Sequence, residues 1–434
     1  MKHALTRFLE TARRSLLADR NFRLMWLSST ITNFGGQVTL LAMPLTAITL
    51  LNATPTQMGI LGALEAIPFT LFSLHSGVYI DRMKKLPIIL ACELLIAASL
   101  IALPIAFACG LLTMTVLYVV SFLLGCAFVV VGTAGQVFLT HIAGRERLIE
   151  ANSLFTLSDS GSRLTGPGVA GALIQLLGAP IAILADCAGF IASIVMLVRI
   201  DTSEEIPTAA EHRPMLRDIG EGIRLVWRHP ILRTLMVCAS LWMLFFQGYA
   251  TLATLFASRE LGLSAGRIGA AHMLAGLGAL LAATVAPRVT RRLGMGTPVT
   301  LGMFSCGLAW ILFAHIAPGK HAFAQMGAAL FFLDFGATLY WINYSTLRQS
   351  VTPDALLGRM TATMRFFTVA LAPLGAYGAG LLGETIGLRA TLTLGGLAVV
   401  LLAVCAFAFT SLRRITDLSQ PGARAAAAAL ANSL

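Results

Sequence analysis

The sequence predicts an all-α membrane protein: twelve transmembrane helices arranged as two pseudo-symmetric six-helix bundles. Three observations predict it. Of 434 residues, 57% are hydrophobic and 12% charged, against about 45–50% and about 25% in soluble domains. Apolar runs long enough to cross a bilayer, roughly 18 residues or more, recur along most of the chain. The Lys and Arg residues crowd into alternate connections between those runs.

The elements follow in order. Residues 1–23 form a basic arm in which Leu5, Phe8, Leu9, Ala12 and Leu16 recur at helical spacing. That pattern suits either a helix lying on the inner membrane surface or a solvated lead-in. With no long apolar region and no small-residue cleavage site, the arm does not read as a signal peptide. Six spans are expected near 24–50, 57–80, 86–108, 112–139, 152–176 and 179–199. A middle loop, 200–231, opens polar ("DTSEEIPTAAEHRP") and turns amphipathic ("MLRDIGEGIRLVWRHP"). Six more spans are expected near 232–257, 266–287, 297–317, 322–347, 361–383 and 389–411. The domains are therefore the arm 1–23, a first bundle 24–199, the loop 200–231, a second bundle 232–411 and a tail 412–434.

Charge orients the array. One set of connections holds the arm's bases, Arg82/Lys84/Lys85, Arg145/Arg147, the middle-loop arginines, Arg288/Arg291/Arg292, Arg348/Arg359 and the tail. The other set holds little beyond Arg259, Arg267, Lys320 and Arg389. Positive residues are retained in the cytoplasm, so both termini and the middle loop are expected there. The same rule accounts for the net charge of +11 without a nucleic acid partner, for which no motif is present.

The seven cysteines all lie in apolar segments without a CxxC pair, and read as small core hydrophobes. The histidines have no metal spacing, and "GAGLLG" at 378–383 follows no strand and lies within a span. No Walker motif is present. Neither a metal, a cofactor nor an enzymatic constellation is expected.

The two halves echo one another. "APRVTRRLG" at 286–294 follows the eighth span where "GVYIDRMKK" follows the second, with Ala286 in place of Gly77 and Thr290 in place of Asp81. "RLIEANSLF" opens the fifth span and "ALLGRMTATM" the eleventh. A twofold repeat of six-helix bundles points to a transporter with its cavity between the halves.

Over essentially its whole length the chain resembles the major facilitator superfamily. "GVYIDRMKK" resembles that family's Gly-x-x-x-Asp-Arg-x-x-Arg/Lys loop at Gly77, Asp81, Arg82 and Lys85, with Lys84 where a glycine is usual. "RERLIEANSLF", "RLTGPGVAGALI" and "VTPDALLGRMTATMRF" look like the branch containing the enterobactin exporter and macrolide efflux proteins. "TGPGVAG" resembles the antiporter motif of the fifth helix at Gly166, Pro167 and Gly171.

The resemblance implies roles. Asp81 ends the second span, where the helix dipole is negative, and needs a positive partner. The start of the eleventh helix near Gly358 and Arg359 would supply it, making Gly77, Asp81, Arg82, Lys85 and Arg359 a latch on the cytoplasmic side. The bland alternative is topology alone. Gly166-Pro167 would let the fifth helix bend into a seal typical of exporters, or be an ordinary proline kink.

Acids within spans are the next signal, since an ionisable group in hydrocarbon costs about 2.5–3.5 kcal/mol or more. They are Glu65, Glu93, Asp159, Asp186, Asp334 and Glu384, with bases Arg163 and Arg365. Asp159 and Arg163 share a helix face as a structural pair or a proton-unlocked gate. Glu65, Asp186 and Asp334 are the other proton-coupling candidates. Glu384 is expected to be solvated at the end of its helix. Asn33, Gln37, Gln136, Gln247, Tyr340, Trp341 and Asn343 are candidate cavity residues, amides and aromatics suited to a large amphipathic ligand. As belt residues or interhelical bonds they would instead be structural.

Together these imply a multi-pass protein of the bacterial inner membrane, a monomer in the lipid bilayer that exports a siderophore or hydrophobic drug-like small molecule in exchange for protons. The rivals are an uptake symporter or lipid flippase of the same fold, and a non-transporting receptor or scaffold.

Overall fold

A chain crossing hydrocarbon must satisfy its own N–H and C=O groups, which an α-helix does within a single segment. In the computed structural model every regular element among the described residues is helical. Those residues are 16–81, 83–204, 215–353 and 356–414, excepting the side chains of 73–81, 215–219, 411 and 414.

The first half holds α1 (Arg20–Thr49), α2 (Pro55–Asp81), α3 (Lys85–Ala108), α4 (Met114–Ala143), α5 (Leu148–Leu177) and α6 (Ala179–Leu197). A short helix α7 (Met215–Arg228) precedes the second half. There follow α8 (Pro230–Arg259), α9 (Ala265–Leu293), α10 (Gly296–Ala314), α11 (Ala322–Ser350), α12 (Leu357–Ala370), α13 (Ala372–Thr385) and α14 (Leu388–Phe409). Counting α12 with α13 as one span, nine of these segments among the described residues are long and apolar enough to cross a membrane. The other three expected spans are α1, α2 and α5. At 30, 27 and 30 residues they too exceed the roughly 20 a crossing needs.

All twelve expected spans coincide with helices. The eleventh is broken at Leu371 into α12 and α13, with Pro373 in the first turn of α13. A proline there lacks the N–H that would continue α12, while its fixed φ suits a helix start. Corresponding glycines reverse the chain in each half: Gly178 (φ 84°) between α5 and α6, and Gly387 (φ 89°) before α14. A side chain would be strained in that left-handed conformation.

The contacts divide the chain into unit 1 (residues 1–51 and 71–208) and unit 2 (52–70 and 209–434). In unit 1, α1 packs along α5 and α6, and α3 along α4 and α6. In unit 2, α8 packs along α13 and α14, and α10 along α11 and α14. These are the same four pairings in corresponding order, so the sequence repeat is also a packing repeat.

Residues 52–70 belong to the first bundle by chain order, yet their partners lie in unit 2. Glycines are the reason: a β-carbon on Gly59 would lie 2.9 Å from Ala376 O and from Gly380 Cα, and one on Gly62 2.6 Å from Thr251 Oγ1. Small residues of this kind let membrane helices approach backbone to backbone. The start of α2 is a reciprocal capping box, visible as Thr54-x-x-Gln57. Thr54 N–H donates to Gln57 Oε1 (2.9 Å) and Gln57 N–H to Thr54 Oγ1 (3.3 Å).

Candidate functional site

In unit 1 the facing sides of α1 and α6 carry mostly small and polar residues at helical spacing: Ser28, Gly35 and Thr39 against Ser193 and Asp186, with Ile31 against Gly189. Asp186 is buried and accepts a hydrogen bond on Oδ2 from the Thr39 hydroxyl, while its Oδ1 has no hydrogen-bond partner among the described residues. That oxygen occupies the space a side chain at Gly35 would need. Two turns along α6, Ser193 donates to Glu93 Oε2 of α3 at 2.6 Å and lies 2.6 Å from Ser28 Oγ. With Ser193's proton committed to Glu93, Ser28 donates to Ser193. A buried acid is thus tied through one hydroxyl to a third helix. Glu93 stood among the intramembrane acids of the sequence, but only the structure gives it partners.

Gln37, on the neighbouring face of α1, meets the motif of the fifth helix. A β-carbon on Gly166 would lie 2.5 Å from Gln37 Cγ and 2.9 Å from its Cβ. Pro167 lies within α5 without ending it, and Gly171 is buried on the same helix. Asn33 and Gln37 are half-buried. Gln136 is exposed and opens with Thr140, His141 and Arg145 into an open cavity of about 730 Å³. Asp159 and Arg163 form the expected ion pair at 2.9 Å, but their side chains are 46% and 72% exposed. An exposed pair of this kind adds little stability.

The connections rich in bases are tied down by acids. Glu204 accepts from the N–H groups of Lys85 (2.6 Å) and Leu86 (2.8 Å), capping the start of α3. Such a position favours a carboxylate. Lys85 itself is buried, its Nζ donating to Met83 O at 2.7 Å. Asp201 exchanges hydrogen bonds with Asn21 (2.7 and 3.2 Å), and Thr202 meets His141 at 2.9 Å. The opening of the middle loop therefore fastens α1, α3 and α4 of unit 1. Gly77 and Asp81 lie on α2, but their side chains and the whole of Arg82 fall outside the described residues.

In unit 2 Arg359 donates to Glu221 of α7 at 2.6 Å. Beside it Gly222 sits so close to α12 that a β-carbon would lie 3.0 Å from Arg359 O and would collide with Thr363 Oγ1. Sequence reasoning marked Arg359 but missed Glu221, whose only signal was its place in an amphipathic stretch. His229, joining α7 to α8, is buried, and its Nδ1 accepts from Leu232 N–H at 3.5 Å. Burial holds its imidazole below the ordinary value.

Tyr340 and Asn343 are 0% and 2% exposed. Tyr340 is stacked on Trp242 and Tyr344, at 5.3 and 5.5 Å between ring centroids. Asn343 accepts from Thr290 at 2.7 Å and donates to Leu339 O at 2.9 Å. The repeat position that lost its acid thereby fastens α9 to α11. Trp341 and Gln247 are half-buried. Glu384 is not merely solvated: it accepts from Thr54 Oγ1 (3.0 Å) and Thr56 N–H (3.1 Å) at the start of α2. Glu65 is exposed and Asp334 is half-buried. Among the described residues no cluster of acids, histidines and cysteines could hold a metal ion.

The profile of the Major Facilitator Superfamily matches residues 25–376. The "Multidrug efflux pump Tap" of Mycolicibacterium fortuitum is 27% identical over 403 residues, 89% of this chain and 95% of its own length. Two solved structures share the fold. The nucleoside transporter NupG has a TM-score of 0.67 at 14% identity, over 89% of this chain and 98% of that one. A bacterial homologue of the iron transporter ferroportin has a TM-score of 0.69 at 18% identity, over 89% and 98%.

Proposed function

The chain belongs to the Major Facilitator Superfamily, and from that premise we propose that it is a secondary active exporter of hydrophobic drug-like molecules or a siderophore. It would work by alternating access in the bacterial inner membrane, with both termini cytoplasmic and protons as counter-ion. The observation that carries this reading is the likeness to a multidrug efflux pump across nearly the full length of both chains. The contact of Gly166 with Gln37 supports it, because the motif that resembles antiporters bears directly on a candidate cargo residue.

Among the coupling candidates Glu65, Asp159 with Arg163, Asp186 and Asp334, Asp186 is favoured. Gly35 and Thr39 of α1 touch it, so any sliding of α1 on α6 changes its surroundings. The latch read from Gly77, Asp81, Arg82, Lys85 and Arg359 belongs to the same proposal. Since Arg359 is held by Glu221, a latch to Asp81 requires Arg359 to share or exchange partners.

Everted membrane vesicles test the proposal. With an acid-inside gradient, the protein should accumulate a macrolide or a catecholate siderophore, and a protonophore should abolish the accumulation. Asp186→Asn should lose the gradient dependence while retaining substrate exchange. Accumulation of neither compound by correctly inserted protein, or uptake in right-side-out vesicles instead, would overturn it.

A further inference from the structure

α7 ends at Arg228 and α8 begins at Pro230, with His229 alone between them. Because α8 crosses the membrane, so short a joint pins α7 to the level at which its chain enters the bilayer. The helix has two distinct sides. Gly222, Leu225 and Val226 are turned inward, with Gly222 closed on α12. On the other side Ile223 and Trp227, four residues apart, are 40% and 57% exposed. Arg224 and Arg228 are exposed beside them, and Arg233 is exposed at the first turn of α8. Glu221, the acid of α7 whose side chain is described, is turned to Arg359.

We propose that α7 is an interfacial anchor that binds anionic phospholipid headgroups, with Ile223 and Trp227 dipping below the headgroups and Arg224 and Arg228 holding their phosphates. A tryptophan and an isoleucine side by side would be poorly placed in water, whereas the boundary of a bilayer suits an indole with one wet and one apolar edge. Guanidinium forks match phosphate oxygens two at a time. The exposed face carries positive charge from both arginines, complementary to an anionic leaflet rather than a zwitterionic one.

The full-length protein in nanodiscs tests this. The difference in emission between wild type and Trp227→Phe isolates Trp227 from the other tryptophans. It should be quenched by lipids brominated in their acyl chains, and more strongly with phosphatidylglycerol than with phosphatidylcholine. Native mass spectrometry should show retained phosphatidylglycerol falling about fivefold per arginine replaced in Arg224→Gln and Arg228→Gln. The lysine variants at both positions should keep most of it. Quenching of Trp227 by aqueous acrylamide but not by brominated lipid would overturn the proposal. So would retention of phosphatidylglycerol unchanged in the double glutamine variant.

Discussion

Gly166 leaves its place to Gln37: the side chain of α1 fills the space beside α5 that any β-carbon would claim. Gly166→Ala should therefore force the two helices apart, at about 1–3 kcal/mol for an overpacked contact. Its efflux should fall several-fold and its melting temperature should drop. Gln37→Ala in the same chain should restore much of the stability, because the truncated side chain vacates the space. Melting curves of the single and double variants in detergent check this; a neutral Gly166→Ala would show that the helices yield without cost.

Ser193→Ala should destabilise unit 1 more than Ser28→Ala. The first removes the donor to Glu93 Oε2 within a buried site, at about 1–3 kcal/mol. The second removes only a neutral hydroxyl pair, at about 0.5–1.5 kcal/mol. Thermal unfolding of the two variants side by side gives the order.

Charge exchange tests the hold of α7 on α12. Glu221 and Arg359 are 30% and 25% exposed, so solvent screens much of their attraction, and the pair contributes about 0.5–1 kcal/mol. Arg359→Glu should lower the melting temperature and loosen α7, measured as faster amide exchange over 220–228. Combining it with Glu221→Arg should recover most of the protection.

Stability should depend on pH through His229. Its pKa in the folded protein is lowered from 6.5 by burial, so on acidification the unfolded chain takes up this proton first. The contribution of His229 is complete above pH 6.5 and is lost as the pH falls toward the folded value. Between about pH 7 and pH 5 the melting temperature of wild type should drop more than that of His229→Asn, whose side chain does not titrate. Parallel curves for the two proteins would contradict the assignment.

Much of the fold was legible in the sequence. Twelve spans, the repeat and the amphipathic helix of the middle loop could all be read from the pattern of apolar and charged residues. The capping box at Thr54 and the break at Pro373 also had local signals, and neither was read. The site was less legible. Arg359 could be singled out as a candidate partner for Asp81, but Glu221, to which it donates, lies 138 residues away in the chain and no spacing joins them. Tyr340 and Asn343 were candidates because amides and aromatics suit an amphipathic ligand, and nothing in the sequence signalled the rings and hydroxyl that pack against them. Glu384 is exposed as its position at a helix end suggested, but its capping of the start of α2 had no signal in the sequence.

By itself the sequence determined that this chain crosses a membrane many times and is built twice over from one pattern of six helices. The reason is that the free energy of placing a side chain in hydrocarbon or in water is set residue by residue, and so is written in composition and order. The tertiary structure alone decided that Asp186 faces Gly35, that Glu93 reaches Ser28 through Ser193, and that residues 52–70 pack on α8 and α13. Those pairings depend on how each helix is rotated about its axis and how closely glycines let backbones approach. Hydrophobicity along a chain carries neither quantity.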